Sequence, residues 1–467
     1  MKHSYRRTLA CLAFCTAGSA LGQTMVAPAI PVIQHETGAS AVGAAWIVTA
    51  FLLVGAVATP LVVRLGRMYG NRRFVVLLMT LYAVGSLVAA VGCWHRELAI
   101  IVAGRLVQGV SAGVVPLSFA IIRDHVPPER ATGGVVLVNA MLALGGSISL
   151  PLGGFVIDHF GVVWIFGVSA VSATTSALVV AVFVAELPHT DPKGRIDVVG
   201  AVLLSAGLAA LVLGLSNAGH GGLASPQSAG LLGVGVLLLV LWGAVERRQH
   251  DPIVDVSLLG SPSVLRLNIT TLLFGFGVFG SFFLFPLLLQ LPTASGGPGL
   301  NATQAGLMAM PVAIVNSAAS PLVGPVSRRW GPKVPVLVGG ALGAATMAVV
   351  ALLPAYLPAL LVASVLWGTA YSAAMAAVSN LLIQVVPANR TGEVAGMNVI
   401  IRNVGSALGA QVGAGVIAIG EAAGLRPVAA VGAAFGVAGV ACLVSVVCTA
   451  LITTPSHSNR RTLRTRC

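Results

Sequence analysis

The sequence predicts an all-α membrane protein with 14 transmembrane helices, arranged as two pseudo-symmetric six-helix halves plus an inserted helix pair. Three observations carry that expectation. Hydrophobic residues make up 57% of the 467 positions and charged residues 8%, with a mean hydropathy of +0.96, outside the range of soluble domains. Mostly apolar runs of about 20 residues, the length that crosses about 30 Å of hydrocarbon, recur along the whole chain. The chain also repeats itself. Thr59-Pro60-Leu61 through Arg67 to Gly70 is echoed by Ser320-Pro321-Leu322 through Arg328 to Gly331, and a second echo pairs Asn139 with Asn398, Gly146 with Gly405, Ser147 with Ser406 and Gly154 with Gly413. Duplicated bundles of this kind imply a midplane cavity between two related units.

In chain order the apolar windows fall at about 8–33, 44–65, 74–94, 98–122, 131–157, 162–184 and 197–217, then at about 228–246, 266–291, 302–326, 334–354, 357–384, 393–419 and 427–452. The first imitates a secretory signal, with Lys2, Arg6 and Arg7 before an apolar stretch. Its apolar run continues to Ile33, long enough to span, so it is read as a retained helix. Helices 1 to 6 match helices 9 to 14, which leaves helices 7 and 8 without counterparts. The expected units are therefore 1–185, an insertion at 186–264 with polar linkers, 265–454, and a basic tail at 455–467.

The formal net charge is +13, and its placement decides what it means. Arg64, Arg67, Arg72, Arg73, Arg123, Arg130, Lys193, Arg195, Arg247, Arg248, Arg266, Arg328, Arg329, Lys333 and Arg390 fall in alternate loops; the opposite loops hold Arg96 and Arg426. The positive-inside rule puts both termini in the cytoplasm, and a basic set with only Lys2, Lys193 and Lys333 as lysines suggests a bacterial genome, hence a bacterial plasma membrane. Charge scattered over loop ends, without a basic stripe or an aromatic platform, excludes nucleic-acid binding. The six cysteines form no CxxC and no Cys/His cluster, so they read as small hydrophobes and no metal or other cofactor is expected. The expected partners are the bilayer and a small-molecule substrate, for a monomer.

Four motifs then resemble one family. Leu21-Gly22-Gln23-Thr24-Met25 through Pro31 in helix 1, the loop around Gly70-Asn71-Arg72-Arg73, Gly104-Arg105-Leu106-Val107-Gln108-Gly109 in helix 4, and Gly145-Gly146-Ser147-Ile148-Ser149-Leu150-Pro151-Leu152-Gly153-Gly154 in helix 5 resemble the major facilitator superfamily, specifically its fourteen-helix drug/proton antiporter branch. The resemblance covers nearly the whole chain. Four positions depart from the pattern: Gly22 stands where that branch carries an Asp in helix 1, Val63 and Arg67 where the loop motif carries its first Gly and its Asp, and Leu150 where a Gly usually precedes the Pro of helix 5. The resemblance implies alternating access, export of drug-like molecules or antibiotics, and proton coupling. It implies a gate loop at Arg67, Gly70, Arg72 and Arg73, repeated at Arg328 and Gly331, and an antiporter motif at Gly145, Gly146, Pro151, Gly153 and Gly154.

The residues themselves nominate a cavity. An Arg placed mid-helix costs about 2.5–3.5 kcal/mol on insertion scales, so Arg105 and Arg402 should face a cavity or find partners within the bundle. Arg105 reads either as functional or as a pin from helix 4 to carbonyls of helix 1. The neutral polar residues Gln23, Thr24, Gln108, Asn139, Asn316, Asn398 and Gln411 suit either substrate binding or helix-to-helix hydrogen bonds. No acid or His lies near the middle of a window. The nearest titratable candidates for proton coupling are Asp124 on the cytoplasmic side, and Glu36 and Asp158 outside. Two intramembrane Arg and no intramembrane acid would also suit uptake of an anionic metabolite. Gly109-Val110-Ser111-Ala112-Gly113 spells a hydrolase elbow, but within an apolar helix and with no His or acid at its depth, which excludes an enzyme.

Overall fold

The computed structural model describes residues 2–186, 197–221, 225–249, 262–385 and 391–452. Of the sequence-based linkers 186–197 and 246–265, residues 187–196 and 250–261 lie outside the described residues, as does the tail at 455–467. Among the described residues fourteen helices are long and apolar enough to cross a membrane, and there is no strand.

In chain order, α1 runs through Lys2–Thr24 and, after a 3-10 turn at Ala27–Ala29, Ile30–Thr37. Then come α2 (Ala41–Tyr69), α3 (Asn71–His95), and α4, which is Leu98–Gly109 and Val114–His125 joined by a 3-10 turn at Val110–Gly113. They are followed by α5 (Pro128–Phe160), α6 (Val163–Phe183), α7 (Val198–Gly221) and α8 (Pro226–Glu246). Helix α9 is Pro262–Phe274 and Ser281–Leu289 joined by a π turn at Gly275–Phe279. The chain continues through α10 (Ala302–Trp330), α11 (Lys333–Leu352), α12 (Leu357–Val385), α13 (Thr391–Ala422) and α14 (Pro427–Ala450).

Sequence chemistry sets several starts. The Ser40 hydroxyl accepts from Gly43 N at 3.1 Å to cap α2, and Asn301 and Gln304 form a reciprocal capping box at α10. Trp94, Trp164 and Trp330 are exposed at helix ends, where an amphipathic ring suits the interface between hydrocarbon and headgroups.

Association in lipid rests on close packing, because lipid chains are as apolar as Leu. Glycines provide it. On α5, a Cβ at Gly153 would lie 2.6 Å from Met25 O of α1, and one at Gly145 would fall on the carbonyl of Ala17. The second half repeats the device: Gly405 and Gly409 of α13 lie against Leu272 and Phe276 of α9. Across the seam between the halves, Gly154 of α5 meets the backbone of Ala302 and Thr303, and Gly306 of α10 meets Leu150 and Pro151. The related seam pairs α2 with α13, where Gln411 Nε2 donates to Thr49 Oγ1 at 3.2 Å.

Helix α7 covers that second seam. Leu204, Leu208 and Val212 cluster with Leu53 of α2 and with Val404 and Leu408 of α13, and Trp46 Nε1 donates to Ser216 Oγ at 2.9 Å. Helix α8 packs on α7 and leaves Val236, Leu237 and Val240 exposed.

These packings separate two neighbouring glycines. Gly145→Ala drives a methyl into the α1 backbone and should cost about 1–3 kcal/mol. At Gly146 nothing lies within 4 Å of a Cβ, so Gly146→Ala should be neutral or gain up to about 1 kcal/mol of helix propensity. Thermal unfolding of the two purified variants in detergent checks this.

Candidate functional site

Arg105 is 2% exposed, and its partners come from three helices of the first half. Its Nε donates to Ile47 O of α2 at 2.7 Å and its Nη1 to Gln108 Oε1 at 2.7 Å. Gln108 Nε2 passes the network to Ser86 Oγ of α3 at 2.7 Å, and Ser86 donates to Tyr82 O at 2.8 Å. The guanidinium lies 4.7 Å from the centre of the Phe51 ring. The pin therefore runs to α2 and α3, where the sequence suggested carbonyls of helix 1. The reason is steric: Gly85 and Gly104 bring α3 and α4 into backbone contact, which puts Ser86 within reach of Gln108.

Helix 1 meets this network through a gap. A Cβ on Gly22 would lie 2.5 Å from Tyr82 Oη and 3.1 Å from its ring, and Tyr82 is itself buried. The phenol of α3 thus occupies the volume that a side chain at position 22 would need. Sequence reasoning noticed the missing Asp but not Tyr82, because neither the spacing nor the chemistry of Tyr82 links it to helix 1.

The other nominated cavity residues are not gathered at one point. The Thr24 hydroxyl meets that of Ser149, joining α1 to α5, and also donates to Ala20 O at 2.8 Å. Asn398 Nδ2 donates to Thr271 Oγ1 at 2.7 Å, joining α13 to α9. Gln411 spans the two halves as described. Gln23 and Asn139 are exposed, Asn139 bonding to Val135 O of its own helix at 3.1 Å. Asn316 and Arg402 are half-buried, with the Arg402 guanidinium 5.2 Å from the centre of the Phe279 ring.

The arginine-rich ends hold the loop residues. Gly70 (φ +111°) and Gly331 (φ +91°) turn the chain between α2 and α3 and between α10 and α11 in a region that favours glycine. Arg72 and Arg73 pair with Glu186 at 3.5 and 3.6 Å, and Arg72 also reaches the Ala181 carbonyl. Asp124 accepts from Asn71 Nδ2 at 3.2 Å and lies 3.5 Å from Arg123. Arg67 and Arg328 are exposed. The Glu186 and Asn71 contacts were not legible in the sequence, since they join residues 53 or more positions apart.

At the opposite ends one carboxylate joins the halves. Asp158 of α5 accepts from Ala302 N at 3.3 Å, Thr303 N at 2.8 Å and Thr303 Oγ1 at 2.5 Å, the first residues of α10, where unsatisfied N–H groups and the helix dipole favour an anion. Gln290 Nε2 of α9 also joins the halves, donating to Pro28 O at 2.9 Å. Ser111 is buried in the 3-10 turn of α4, which is not the strand-to-helix elbow of a hydrolase.

Comparison with known proteins places this architecture. The chain is 28% identical over 398 residues to the multidrug resistance protein B homolog of Mycobacterium tuberculosis, covering 83% of this chain and 71% of that protein. It is 26% identical over 396 residues to the tetracenomycin C resistance and export protein of Streptomyces glaucescens, covering 84% and 72%. It spans 58% of the length of the MFS-type transporter YhcA of Bacillus subtilis, at 27% identity over 323 residues. The human organic anion transporter MFSD10 shares the fold, with a TM-score of 0.64 at 19% identity over 95% of this chain and 99% of that one. The family model described as Major Facilitator Superfamily matches residues 12–410 and 299–466, and with fourteen spans and the paired α5–α10 and α2–α13 seams, the chain belongs to that superfamily.

Proposed function

We propose that this multi-pass membrane protein exports drug-like small molecules or antibiotics across a bacterial plasma membrane, driven by the proton gradient. The observation that carries the reading is the α5–α10 seam, closed by Gly154 and Gly306 and capped by Asp158. It lies at the end away from the arginine-rich loops, so by the positive-inside rule it is an outer gate, with both termini cytoplasmic. Relatives named for multidrug resistance and for tetracenomycin C export support the direction and the substrate class. The cavity residues, gate loops and unit boundaries suggested by the sequence enter this reading as proposals, as does the monomer.

Coupling needs an acid whose protonation changes the balance between conformations, and no acid lies mid-span. Asp158 meets that requirement at the outer gate. As a carboxylate it caps α10 from the other half; protonated, it loses the charge that the helix N-terminus favours. Asp124, beside Arg123 and Asn71, is the corresponding acid on the cytoplasmic side. Uptake of an anionic metabolite is a second reading, favoured by a buried Arg105 whose observed hydrogen-bond partners are all neutral.

Three outcomes are expected. Expression in a pump-deficient host should lower accumulation of at least one toxic compound, and Pro151→Leu should abolish this at unchanged membrane abundance; energy-dependent accumulation instead would establish uptake. Arg105→Ala should lose most transport and Arg105→Lys should retain little, because an ammonium cannot serve Ile47 O and Gln108 Oε1 in the geometry of a guanidinium; initial rates in everted vesicles decide this. Asp158→Ala should raise labelling, by an impermeant maleimide from outside, of a cysteine introduced at Ala305, which is 2% exposed beneath the cap. Unchanged labelling would remove Asp158 from the gate.

A further inference from the structure

The arginine-rich end of the first half holds a histidine that the transport reading above leaves unused. His125 is the last residue of α4. Its Nδ1 lies 3.0 Å from Ile121 O, one turn back on the same helix, and its Nε2 lies 2.8 Å from Ala185 O, just beyond the end of α6. Helix α6 packs mainly on α3 and α1, so the imidazole adds a direct link to it from α4. The link closes over apolar surface. Val126, which follows His125, and Val184, which precedes Ala185, are 4% and 2% exposed and belong to one buried cluster. Each has extended backbone where its helix ends.

Both ring nitrogens therefore face carbonyl oxygens, which accept and cannot donate. A neutral imidazole carries one N–H, so either tautomer sets a nitrogen lone pair against an oxygen at 3.0 Å or less. An imidazolium carries two N–H groups and satisfies both carbonyls. Its charge also suits the place, because the carbonyl end of a helix favours a cation; Arg72 takes the Ala181 carbonyl of the same helix end. Helix α4 is itself jointed. The 3-10 turn at Val110–Gly113 separates the segment that ends at His125 from the segment that carries Arg105.

We infer that His125 is a proton-binding clasp: with a proton on each ring nitrogen it fastens the end of α4 to the end of α6, and on losing one it keeps a single carbonyl and the link loosens. The fastened form holds the additional proton, so it is favoured at low pH and weakens as pH rises. The charged and titratable groups at the same end are Arg123 and Asp124 on α4 itself and Glu186 after α6. On the other elements packed against this segment they are Tyr5, Arg6 and Arg7 of α1, Arg64 and Arg67 of α2, Arg72 and Arg73 of α3, and Glu129 and Arg130 of α5. The arginines keep their charge throughout, so a response near neutral pH has to be separated from that of the acids by varying His125 alone. The clasp depends neither on the direction of transport nor on Asp158 carrying the coupling proton.

Cysteine labelling of the purified full chain in lipid nanodiscs tests it. Position 184, carrying Val184→Cys, becomes accessible to a soluble maleimide as the clasp opens. Labelling there is read by peptide mass spectrometry at about pH 5 and about pH 8, which bracket the range in which histidine titrates. His125→Arg keeps its charge and several donors at every pH, so dividing each rate by the rate in this variant removes the pH dependence of the thiol and of the neighbouring acids. That ratio should be about one at the lower pH and rise about threefold to tenfold at the higher. His125→Phe, which has no donor, should label fast at both. A ratio that ignores pH, or His125→Phe labelling as slowly as His125→Arg, overturns the proposal, and either result leaves the export reading as it stands.

Discussion

A guanidinium within the bilayer has to be satisfied from inside the bundle, and much of the first half is arranged around how Arg105 achieves this without a carboxylate in its hydrogen-bond set. Its partners are a backbone carbonyl of α2, a side-chain amide one turn away on its own helix, and an aromatic face. Each is neutral, so the site keeps a net positive charge while leaving few unpaired donors. The arrangement requires α2, α3 and α4 to pack closely, which Gly85 and Gly104 permit. It also requires a filler where helix 1 passes, and Tyr82 supplies it. Gly22 and Tyr82 therefore form one steric unit. An acid at position 22 would have to displace the phenol before it could approach Arg105, so the departure from the family's helix 1 pattern involves two residues on two helices.

The legibility of the chain divides along the same line. Fourteen spans, the duplication and the odd helix pair were readable because bilayer thickness fixes run length and because an internal repeat needs no structure to be seen. The small residues of α5 were readable as a packing seam, but not their partners: Gly145 and Gly153 face α1 whereas Gly154 faces α10, a division set by helix rotation. Contacts between distant positions were hidden for a similar reason. Glu186 with Arg72 and Arg73, Asn71 with Asp124, Tyr82 with Gly22 and Asp158 with Thr303 each join residues that no local period relates. The polar residues nominated for one cavity turn out to be spread, several of them serving as hydrogen bonds between helices, as Asn398 and Gln411 do.

With its acids confined to loops and helix ends, the chain differs in kind from a transporter that carries a proton on a mid-membrane carboxylate. A carboxylate at a helix N-terminus can still influence conformation, because its charge interacts with the partial charges of the terminal N–H groups only while the two halves are together. Asp158 has that geometry, and it is exposed to the bulk on its own side. Under the proposed coupling, proton access there would require no pathway through the protein. The energetic weight of such an exposed contact is modest, about 0.3–1 kcal/mol.

The inserted pair sets a mechanical condition on any rocking motion. Helix α7 touches both halves at the α2–α13 seam, yet the two contacts are unlike. Toward α2 it has a directional hydrogen bond, Trp46 to Ser216, in addition to apolar packing around Leu53. Toward α13 its clustered contacts are the aliphatic side chains of Val404 and Leu408. Breaking a hydrogen bond in hydrocarbon leaves a donor with no water to turn to, whereas aliphatic surfaces can slide while keeping most of their dispersion contacts. If the halves move, the Trp46–Ser216 hydrogen bond holds α7 to the first half while its more extensive packing lies against α13 of the second, so α7 and the α8 packed on it are tied to both. The pair then seals one seam against lipid through the cycle, and the α5–α10 seam is left as the one at which helices of the two halves separate directly.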